Sequence, residues 1–442
     1  MDDSFIIEGG KKLSGEVKLS GAKNAALKMI IASLLFEEKV TLKNIPRIKD
    51  VEELFHLIKS LGAKAEFIED NTLEIDPRSL NKNKVDLLHA SKIRVSFMLF
   101  APLLYKFSEC FVPNPGGCRI GARPIDRIIE GMKSLGIVID YNSENGYYQA
   151  KLVTRPEGKY CFNKASHTGT ELLIMISVFG KGKIILENCA HEPEIDDLIN
   201  FLNKGGAKIF KDKDTIRING VKSLSLTEPY RIVTDRNEAI TYACMSLSTV
   251  GEILIVDLKR DSILSFIDKV EKAGGTVSDD QKGLIFRADR GLRSVDIETS
   301  PHPGFMTDWQ PNWAVLMTQA KGKSVVVERV FENRFSYVKE LEKLGAKIRF
   351  IDNEISDPEK YYFFNYQEGV KYTQTIEIEG PIKLHGGVLK IADLRAGASL
   401  AAAALLANGQ SVINGVSILE RGYESFVEKV RGLGGEIKKV GV

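Results

Sequence analysis

Two kinds of apolar pattern alternate along the whole chain. Amphipathic runs with helical spacing, such as DVEELFHLIKS and EIDDLINFLNK, each precede a glycine and then an alternating run such as AKAEF. A glycine just past the last turn supplies the left-handed backbone that ends many helices, and strict alternation indicates a strand. β-branched runs such as KVTLKNI and KIILENC lie upstream of these helices. The pattern predicts a strand–helix–strand unit and favours an α/β architecture.

This unit recurs six times. Its central glycines are spaced 74, 70, 68, 71 and 89 residues apart, at Gly62, Gly136, Gly206, Gly274, Gly345 and Gly434. Repetition at a fixed period indicates one supersecondary unit copied along the chain. The last spacing is 18 residues longer than the one before it. We interpret residues 352–380, a polar and aromatic stretch, as an insertion in the outer part of the fifth or sixth unit.

A second helix in each unit is apolar nearly all round. These runs are KNAALKMIIASLL, VSFMLFAPLL, TELLIMISVFG, NEAITYACMSLS, WQPNWAVLMTQA and LRAGASLAAAALL. Helices without a polar face are buried, so we expect helices packed inside sheets. A chain of 442 residues exceeds the size of one growing core. We therefore predict two lobes of three units each, residues 1–22 plus 234–442 and residues 23–233.

Composition excludes several classes of protein. A net charge of +2, with 27% charged residues, gives no long-range field for nucleic acid, so an anionic ligand needs a local cluster of cations. The N-terminus lacks the basic and apolar regions of a secretory signal, and no apolar stretch approaches 18 residues, so we expect no membrane span. Five cysteines without CxxC spacing fit neither a disulfide framework nor a zinc site. We expect a cytoplasmic protein.

The loop PNPGGCRIGARP, residues 113–124, is the most informative segment. Its prolines and glycines exclude a helix or a central strand, so Cys118 is predicted to lie on an irregular segment. Arg119 and Arg123 are close in sequence, and nearby cations raise the thiolate fraction of a thiol. The alternative is that Cys118 is a small buried hydrophobe. We predict that plain role for the other cysteines, Cys110, Cys161, Cys189 and Cys244.

Polar residues stand at the heads of two buried helices. SGAKN places Lys23 and Asn24 at a helix N-terminus, which favours an anion, although a solvated lysine is the alternative. Asp308, in GFMTDWQ, precedes another apolar helix, where a plain N-cap is the alternative.

Four arginines recur near the junctions of the units. Taken singly, each is interpreted as a structural ion pair or a solvated side chain. If several converge, three charged hydrogen bonds of about 1.5 to 3 kcal/mol each suffice to hold a phosphate. These arginines are Arg94, Arg334, Arg395 and Arg421.

Several motifs are absent from the sequence. It contains neither GxxxxGK[ST] nor a GxGxxG after a strand, which removes support for nucleotide hydrolysis and nicotinamide chemistry. It also lacks HExxH and GxSxG. We predict no metal and no cofactor.

Nine motifs in order carry a resemblance to a known family. SGAKNAAL, PGGCRIGARP, TGTE, EPEI, TDRNEA, GFMTDWQ, ENRF, DLRAGASL and ERGYE make the chain, from about residue 5 to 430, similar to the UDP-N-acetylglucosamine enolpyruvyl transferases. The resemblance implies an inside-out α/β barrel, with two domains each of three βαβαββ repeats and a substrate cleft between them.

The implied activity is transfer of the enolpyruvyl group of phosphoenolpyruvate to the 3-hydroxyl of UDP-N-acetylglucosamine, the first committed step of peptidoglycan synthesis. These two small molecules are the implied partners. The nearest alternative is a 3-phosphoshikimate enolpyruvyl transferase, which has a similar fold and repeat but lacks the cysteine loop. A catalytically silent UDP-sugar-binding paralogue is an alternative of another class.

The resemblance also implies roles for residues. Asp308 is the expected base near the sugar hydroxyl, Cys118 is the expected proton donor and the thiolate that can add to phosphoenolpyruvate, and Lys23 and Arg421 complete the catalytic set. The implied substrate-binding residues are Lys23, Asn24, Arg94, Arg123, Pro124, Ile125, Asp126, Arg127, Lys164, Ala165, Ser166, His167, Asp308, Val330, Arg334, Asp393 and Arg395. The sequence departs from the family's usual residues at His167, Leu172, Asn237 and Ile240, which bears on the nucleotide contacts.

Overall fold

The computed structural model describes residues 3–116, 120–121, 125–289 and 291–441. Short strands and helices alternate along these residues. The strands are β1 Ser4–Glu8, β2 Gly15–Lys18, β3 Val40–Lys43, β4 Lys64–Glu69, β5 Thr72–Asp76, β6 Glu109–Pro113, β7 Val138–Asn142, β8 Tyr147–Lys151, β9 Gly158–Cys161, β10 Lys183–Glu187, β11 Lys208–Asp212, β12 Thr215–Asn219, β13 Tyr230–Arg231, β14 Glu252–Val256, β15 Thr276–Asp280, β16 Gly283–Arg287, β17 Ile297–Glu298, β18 Gly322–Val327, β19 Lys347–Phe350, β20 Thr375–Gly380, β21 Val388–Lys390, β22 Gln410–Asn414 and β23 Glu436–Val440.

The helices lie between these strands. The α-helices are α1 Lys23–Ala32, α2 Lys49–Ser60, α3 Leu87–Ala90, α4 Phe100–Phe107, α5 Asp126–Ser134, α6 His167–Ser177, α7 Pro193–Lys204, α8 Arg236–Ser248, α9 Leu264–Ala273, α10 Gln310–Met317, α11 Val338–Glu342, α12 Pro358–Tyr361, α13 Leu394–Leu406, α14 Val416–Leu419 and α15 Phe426–Gly432. Shorter 3₁₀ helices span Ser33–Leu35, Arg94–Leu99 and Arg260–Ile263.

The sheets repeat one strand order. Within the residues that the structure describes, five sheets have four strands, β21-β22-β1-β23, β2-β14-β16-β15, β13-β3-β5-β4, β9-β10-β12-β11 and β17-β18-β20-β19. In each, the first pair is parallel and the other two pairs are antiparallel. The sixth sheet, β6-β8-β7, has three strands, and an isolated parallel bridge from Lys84 to Phe111 takes the place of the fourth. The sixfold repeat predicted from the glycine spacing is confirmed.

The described residues divide into two compact units. Unit 1 comprises the described residues within Met1–Ser20, Arg119–Arg123 and Thr234–Val442. Unit 2 comprises the described residues within Gly21–Cys118 and Pro124–Val233. Helices α8, α10 and α13 pack against one another in unit 1, and α4 packs against α1 and α6 in unit 2. Every residue of α8 is buried. The prediction of apolar helices inside sheets is confirmed, because their side chains have no polar face to present to water.

The repeat glycines take the backbone conformation that the sequence predicts. Their φ angles lie between 88° and 101°. In this left-handed region a Cβ meets the following carbonyl oxygen, so glycine ends the amphipathic helix at little cost and lets the chain enter the next strand.

Two expectations need correction. The insertion is shorter than 352–380, because Thr375–Gly380 is β20, which pairs with both β18 and β19. The extra residues are 351–374, in the connection between β19 and β20, where other hairpins such as β15–β16 need two residues. Cys161 is exposed rather than buried, because it faces outward on the edge strand β9, whereas Cys110, Cys189 and Cys244 are buried as predicted.

Candidate active site

In unit 2, helices begin at residues predicted to bind substrate. Helix α1 begins at Lys23, α5 at Asp126 and α6 at His167, and the 3₁₀ helix Arg94–Leu99 begins at Arg94. The first turn of a helix has N–H groups without intrahelical acceptors and the positive end of the macrodipole. These elements therefore favour anions at the positions where the motifs occur.

Lys23 forms an ion pair rather than facing water. Its Nζ lies 2.7 Å from Asp50 Oδ2, and the two side chains are 11% and 7% exposed. The alternative of a solvated lysine is wrong, because Asp50 on α2 supplies a counter-ion inside unit 2. Asn24 follows it in the first turn of α1. Asp50 was not identified from the sequence, since it belongs to an amphipathic run without a motif.

The start of α6 carries a buried charge cluster. Ser166 caps the helix by accepting a hydrogen bond from the Gly169 N–H at 3.2 Å. His167 Nε2 lies 3.2 Å from Glu171 Oε1, and Lys28 Nζ lies 3.1 Å from Glu171 Oε2. Burial opposes the charge on His167, but the carboxylates of Glu171 and Glu192 together raise the pKa of His167 above its usual value.

The other predicted residues of unit 2 lie next to these helix starts. Ile125 is buried immediately before α5, and Arg127 is in its first turn, where burial lowers the pKa of the guanidinium. Lys164 and Ala165 directly precede Ser166, and the Lys164 N–H donates to Asn163 Oδ1 at 2.7 Å. Cys118, Arg123 and Pro124 lie outside the described residues.

In unit 1, Asp308 accepts from two arginines. Arg334 Nη2 donates to Asp308 Oδ1 at 2.8 Å, and Arg395 Nε donates to Asp308 Oδ2 at 3.2 Å. The N-cap of α10 is Trp309, so the alternative of Asp308 as a plain N-cap is wrong. The chain makes one further turn before the helix begins. The Asp308 carboxylate therefore does not cap α10 and accepts hydrogen bonds from the two guanidinium groups instead.

Asp393 extends this cluster. It caps α13, with its Oδ1 accepting from the N–H groups of Arg395 and Ala396 at 3.0 and 3.1 Å. Arg334 Nη1 also donates to Asp393 Oδ1, at 3.4 Å. The structure thus brings four of the predicted residues into one network of alternating charge: Asp308, Arg334, Asp393 and Arg395.

Both arginines of this network keep their charge and an unused donor. Burial opposes the charge on Arg334, but Asp393 and Asp308 outweigh it and raise its pKa; burial likewise opposes the charge on Arg395, whose pKa is raised by Tyr423 and Asp308. Arg334 Nε and Arg395 Nη1 are buried, and neither has a hydrogen-bond partner within the described part of the chain. Because a buried N–H without an acceptor costs free energy, these atoms can accommodate an anionic group.

The segment of residues 328–331 contains Val330. The buried Glu328 carboxylate accepts from the N–H groups of Val330 and Phe331 at 2.8 and 3.1 Å. Burial raises the pKa of Glu328. Sequence reasoning did not identify Glu328 or Tyr423, although ERVF and ERGY each lie beside a predicted residue. Arg421, two residues before Tyr423, follows α14 and is partly buried.

The positions that depart from the family's usual residues are mostly core positions. Leu172 and Ile240 are fully buried in α6 and α8. Asn237 is buried too, and its Oδ1 accepts from Trp309 Nε1 at 2.7 Å.

Within the part of the chain that the structure describes, there is no group of three or more His, Cys, Asp or Glu side chains arranged to hold a metal ion. No described helix has both the length and the apolar content to cross a membrane.

Comparison with known proteins gives a consistent result. The family model for EPSP synthase (3-phosphoshikimate 1-carboxyvinyltransferase) matches residues 7–430. UDP-N-acetylglucosamine 1-carboxyvinyltransferase 1 of Caldanaerobacter subterraneus subsp. tengcongensis is 39% identical, and UDP-N-acetylglucosamine 1-carboxyvinyltransferase of Idiomarina loihiensis is 37% identical, each match covering 99% of both chains. The solved structure of the enolpyruvyl transferase NikO from Streptomyces tendae matches with a TM-score of 0.84 at 21% identity, covering 100% of this chain and 99% of that one. The fold is therefore that of the enolpyruvyl transferases, and the chain belongs to the family of the UDP-N-acetylglucosamine 1-carboxyvinyltransferases.

Proposed function

We propose that this protein transfers the enolpyruvyl group of phosphoenolpyruvate to the 3-hydroxyl of UDP-N-acetylglucosamine and releases phosphate. The names of relatives at 37% to 39% identity over 99% of the chain support this reaction. The observation in the structure that carries the proposal is the network around Asp308, where a carboxylate and buried guanidinium donors lie together. A base beside unused cationic donors suits a reaction between a hydroxyl group and an anionic enol ether.

The reaction has two balanced steps. In the first, the sugar oxygen bonds to C2 of phosphoenolpyruvate, the hydroxyl proton goes to a base, and C3 receives a proton, which gives a tetrahedral intermediate. In the second, C3 loses a proton, the C2–C3 double bond re-forms, and the bond from C2 to the phosphate oxygen breaks. Inorganic phosphate leaves, and no oxidant or reductant is needed.

Asp308 is the proposed base for the sugar hydroxyl. Its two oxygens are held by Arg334 and Arg395, so the carboxylate has a defined orientation before any ligand binds. Preorganisation of this kind lowers the barrier because the group need not reorient as the proton moves. The side chain is 23% exposed, which leaves it accessible to a substrate hydroxyl.

Cations are proposed to bind the phosphate and carboxylate of phosphoenolpyruvate. Among the described residues, Lys23 at the start of α1 and Arg395 with its unused Nη1 are the first candidates. Each charged hydrogen bond contributes about 1.5 to 3 kcal/mol, most where water is excluded. Arg94 and Arg421 complete the described set, and Arg123 joins it on sequence grounds alone.

The nucleotide sugar is proposed to bind at the starts of α5 and α6, through Arg127, Lys164 and His167, and Val330 joins this set on sequence grounds alone. Two of these helix starts carry positive side chains next to the positive end of the helix dipole. A diphosphate is an anion of the kind that such positions favour.

Cys118 is proposed to deliver the proton to C3. This role rests on the sequence of its loop. Its test is incubation with fosfomycin, a small phosphonate epoxide, followed by peptide mass spectrometry. We expect one alkylated cysteine, Cys118, and an unmodified Cys118 after saturating exposure would remove this role. The exposed Cys161 serves as the internal control for non-specific alkylation.

The reaction itself is tested by phosphate release from phosphoenolpyruvate with three acceptors. We expect release with UDP-N-acetylglucosamine, and none with shikimate 3-phosphate or water. Release with shikimate 3-phosphate would reassign the substrate, and no release with any acceptor would identify a silent paralogue. Asp308→Asn is expected to lower kcat by about 10² to 10⁴. Asp279→Asn, which removes an exposed partner of Arg260 in the same unit, is the control and should keep the rate.

A further inference from the structure

The insertion of residues 351–374 is joined to the segment of residues 328–331 by hydrogen bonds and ring contacts. Arg329 Nε and Nη2 donate to the carbonyl oxygen of Tyr361 at 3.1 and 2.9 Å. The guanidinium carbon of Arg329 also lies 4.2 Å from the ring centre of Tyr361 and 5.1 Å from that of Phe363. In return, the Phe363 N–H donates to the carbonyl oxygen of Arg329 at 2.8 Å. One arginine therefore ties the segment to the insertion through backbone and ring contacts.

The last residue of the insertion, Gln374, forms further hydrogen bonds with the same segment. Gln374 is buried, and its Nε2 donates to the carbonyl oxygens of Glu328 and Phe331 at 2.8 and 2.9 Å. The Glu328 N–H donates to the carbonyl oxygen of Gln374 at 2.8 Å. A side-chain amide that bridges two carbonyls three residues apart fixes the turn between them.

The opposite side of the segment is held by the body of unit 1. The Glu328 carboxylate accepts from the Val330 N–H and from Thr307 Oγ1, each at 2.8 Å. The Arg329 N–H donates to Thr299 Oγ1 at 2.8 Å. Val330 thus lies on a short backbone segment that is bonded on one side to the unit and on the other side to the insertion.

The insertion has a packed interior of its own. Tyr362 stacks on Phe364 and on Tyr366, with ring centres 4.8 and 6.1 Å apart, and Tyr372 closes the cluster against Phe364 at 5.0 Å. Tyr362 and Phe364 are buried. Aromatic pairs of this kind contribute about 0.5 to 1.5 kcal/mol each beyond burial, so the insertion can act as a stiff support.

We propose that the insertion is a positioning element for the nucleotide sugar: it holds the backbone at Val330 in the conformation that the bound UDP-sugar requires. This inference rests on the proposed function, in which Val330 contacts that substrate. Phosphoenolpyruvate binding does not involve Val330. Loss of the insertion therefore weakens the binding of one substrate and leaves the other unchanged.

Two variants test the inference in the full chain. In the first, Asp-Gly replaces residues 352–373, which shortens the connection between β19 and β20 to four residues and retains Gln374. The second, Arg329→Ala, removes the side-chain contacts of Arg329 with Tyr361 and Phe363 and retains the insertion. Both are expected to raise the KM and the Kd for UDP-N-acetylglucosamine about tenfold, because a misplaced contact costs on the order of 1.4 kcal/mol. The KM for phosphoenolpyruvate and kcat are expected to stay within about twofold.

Arg349→Ala is the matched control, because Arg349 lies on β19 beside the insertion and its contact is an exposed ion pair with Glu377. An unchanged Kd for the nucleotide sugar in both variants would overturn the inference, as would an equal rise in both KM values, which indicates general loosening of the site. Wild-type protein without turnover would refute the proposed function. Wild-type turnover with unaltered variants would refute this inference alone.

Discussion

Equivalent buried helices in the two units each carry a glutamate in the interior, and the two carboxylates differ in their partners. Glu171 on α6 has two cationic neighbours, Lys28 at 3.1 Å and His167 at 3.2 Å. Glu238 on α8 has one, Lys429 at 2.5 Å, together with the Ser20 N–H at 2.9 Å. Burial favours the protonated form of each. For Glu171 the cations outweigh burial and lower its pKa, whereas for Glu238 burial dominates, Asp235 adds to it, and its pKa is raised.

The difference shows what decides the charge of a buried carboxylate in this fold. Both side chains are fully shielded from water, so the neighbouring charges, two cations at Glu171 but one cation and Asp235 at Glu238, set the direction of each pKa shift. The start of α6, where a nucleotide diphosphate is proposed to bind, therefore lies beside a carboxyl whose pKa is lowered. In unit 1 the corresponding carboxyl has a raised pKa.

Removing the lysine partner should have the largest effect. Lys28→Met breaks the buried Lys28–Glu171 ion pair and leaves His167 as the one described cationic neighbour of Glu171; breaking a buried pair by removing one partner costs about 3 to 5 kcal/mol. Lys429→Met should cost less, because burial raises the pKa of Glu238, so this carboxyl takes up a proton more readily than Glu171 when its lysine is lost. Urea unfolding followed by far-ultraviolet circular dichroism measures both. Trp309 and Trp313 are the tryptophans of the chain and both lie in unit 1, so their fluorescence isolates the Lys429→Met effect. Equal losses in the two variants would contradict the comparison.

The histidine should make the stability of unit 2 depend on pH. Because the folded pKa of His167 is raised, its contribution is fully present below the unfolded value of 6.5 and is lost as pH rises through the folded value. His167→Gln is therefore expected to lose about 1.5 kcal/mol of unfolding free energy at pH 6, with the gap to wild type closing towards pH 9. A gap that stays constant with pH would show that the imidazole acts through packing.

Amide substitutions should separate the two glutamates at acid pH. The lowered pKa of Glu171 gives stability that is present above its unfolded value of 4.5 and is lost as pH falls through the folded value. The raised pKa of Glu238 has the opposite sign, so native stability increases as pH falls from the folded value towards 4.5. Glu171→Gln and Glu238→Gln should each remove a slope of at most about 1.4 kcal/mol per pH unit, in opposite directions. Slopes of the same sign would refute the assignment.

An exposed ion pair should give the smallest effect. Lys272 and Asp268 are paired on the surface of α9 at 2.8 Å, with side chains 58% and 51% exposed. Lys272→Met should change the unfolding free energy by less than about 0.5 kcal/mol, because water already screens the pair. A larger change would mean that the measured losses for buried lysines include a general cost of substituting lysine.

Local rules were enough to predict much of the fold. The glycine after each amphipathic helix and the absence of a polar face on the second helix are properties of short segments, and both features were found where the sequence placed them. The resemblance also pointed to Asp308, Arg334 and Arg395, which the structure joins in one network.

Features that depend on contacts between distant segments were not predicted. Lys28 and Glu171 are 143 positions apart, and neither stands in a pattern that identifies a partner. The alternating run TIEIEG was assigned to the insertion because its pairing with β18 and β19 is invisible in sequence. Cys161 was misjudged because one strand position can face either way until its neighbours are known.

The strand order also has a consequence for biosynthesis. β1 pairs with β22 and β23, near residues 410–440, and β2 pairs with β14, near residue 252, so both strands are translated long before their neighbours. Unit 2, whose sheets are formed by residues 21–233, can fold while the ribosome is still translating the remainder. β1 must wait with open edges until β22 and β23 have been translated, which makes this period the one in which a nascent chain most needs chaperone protection.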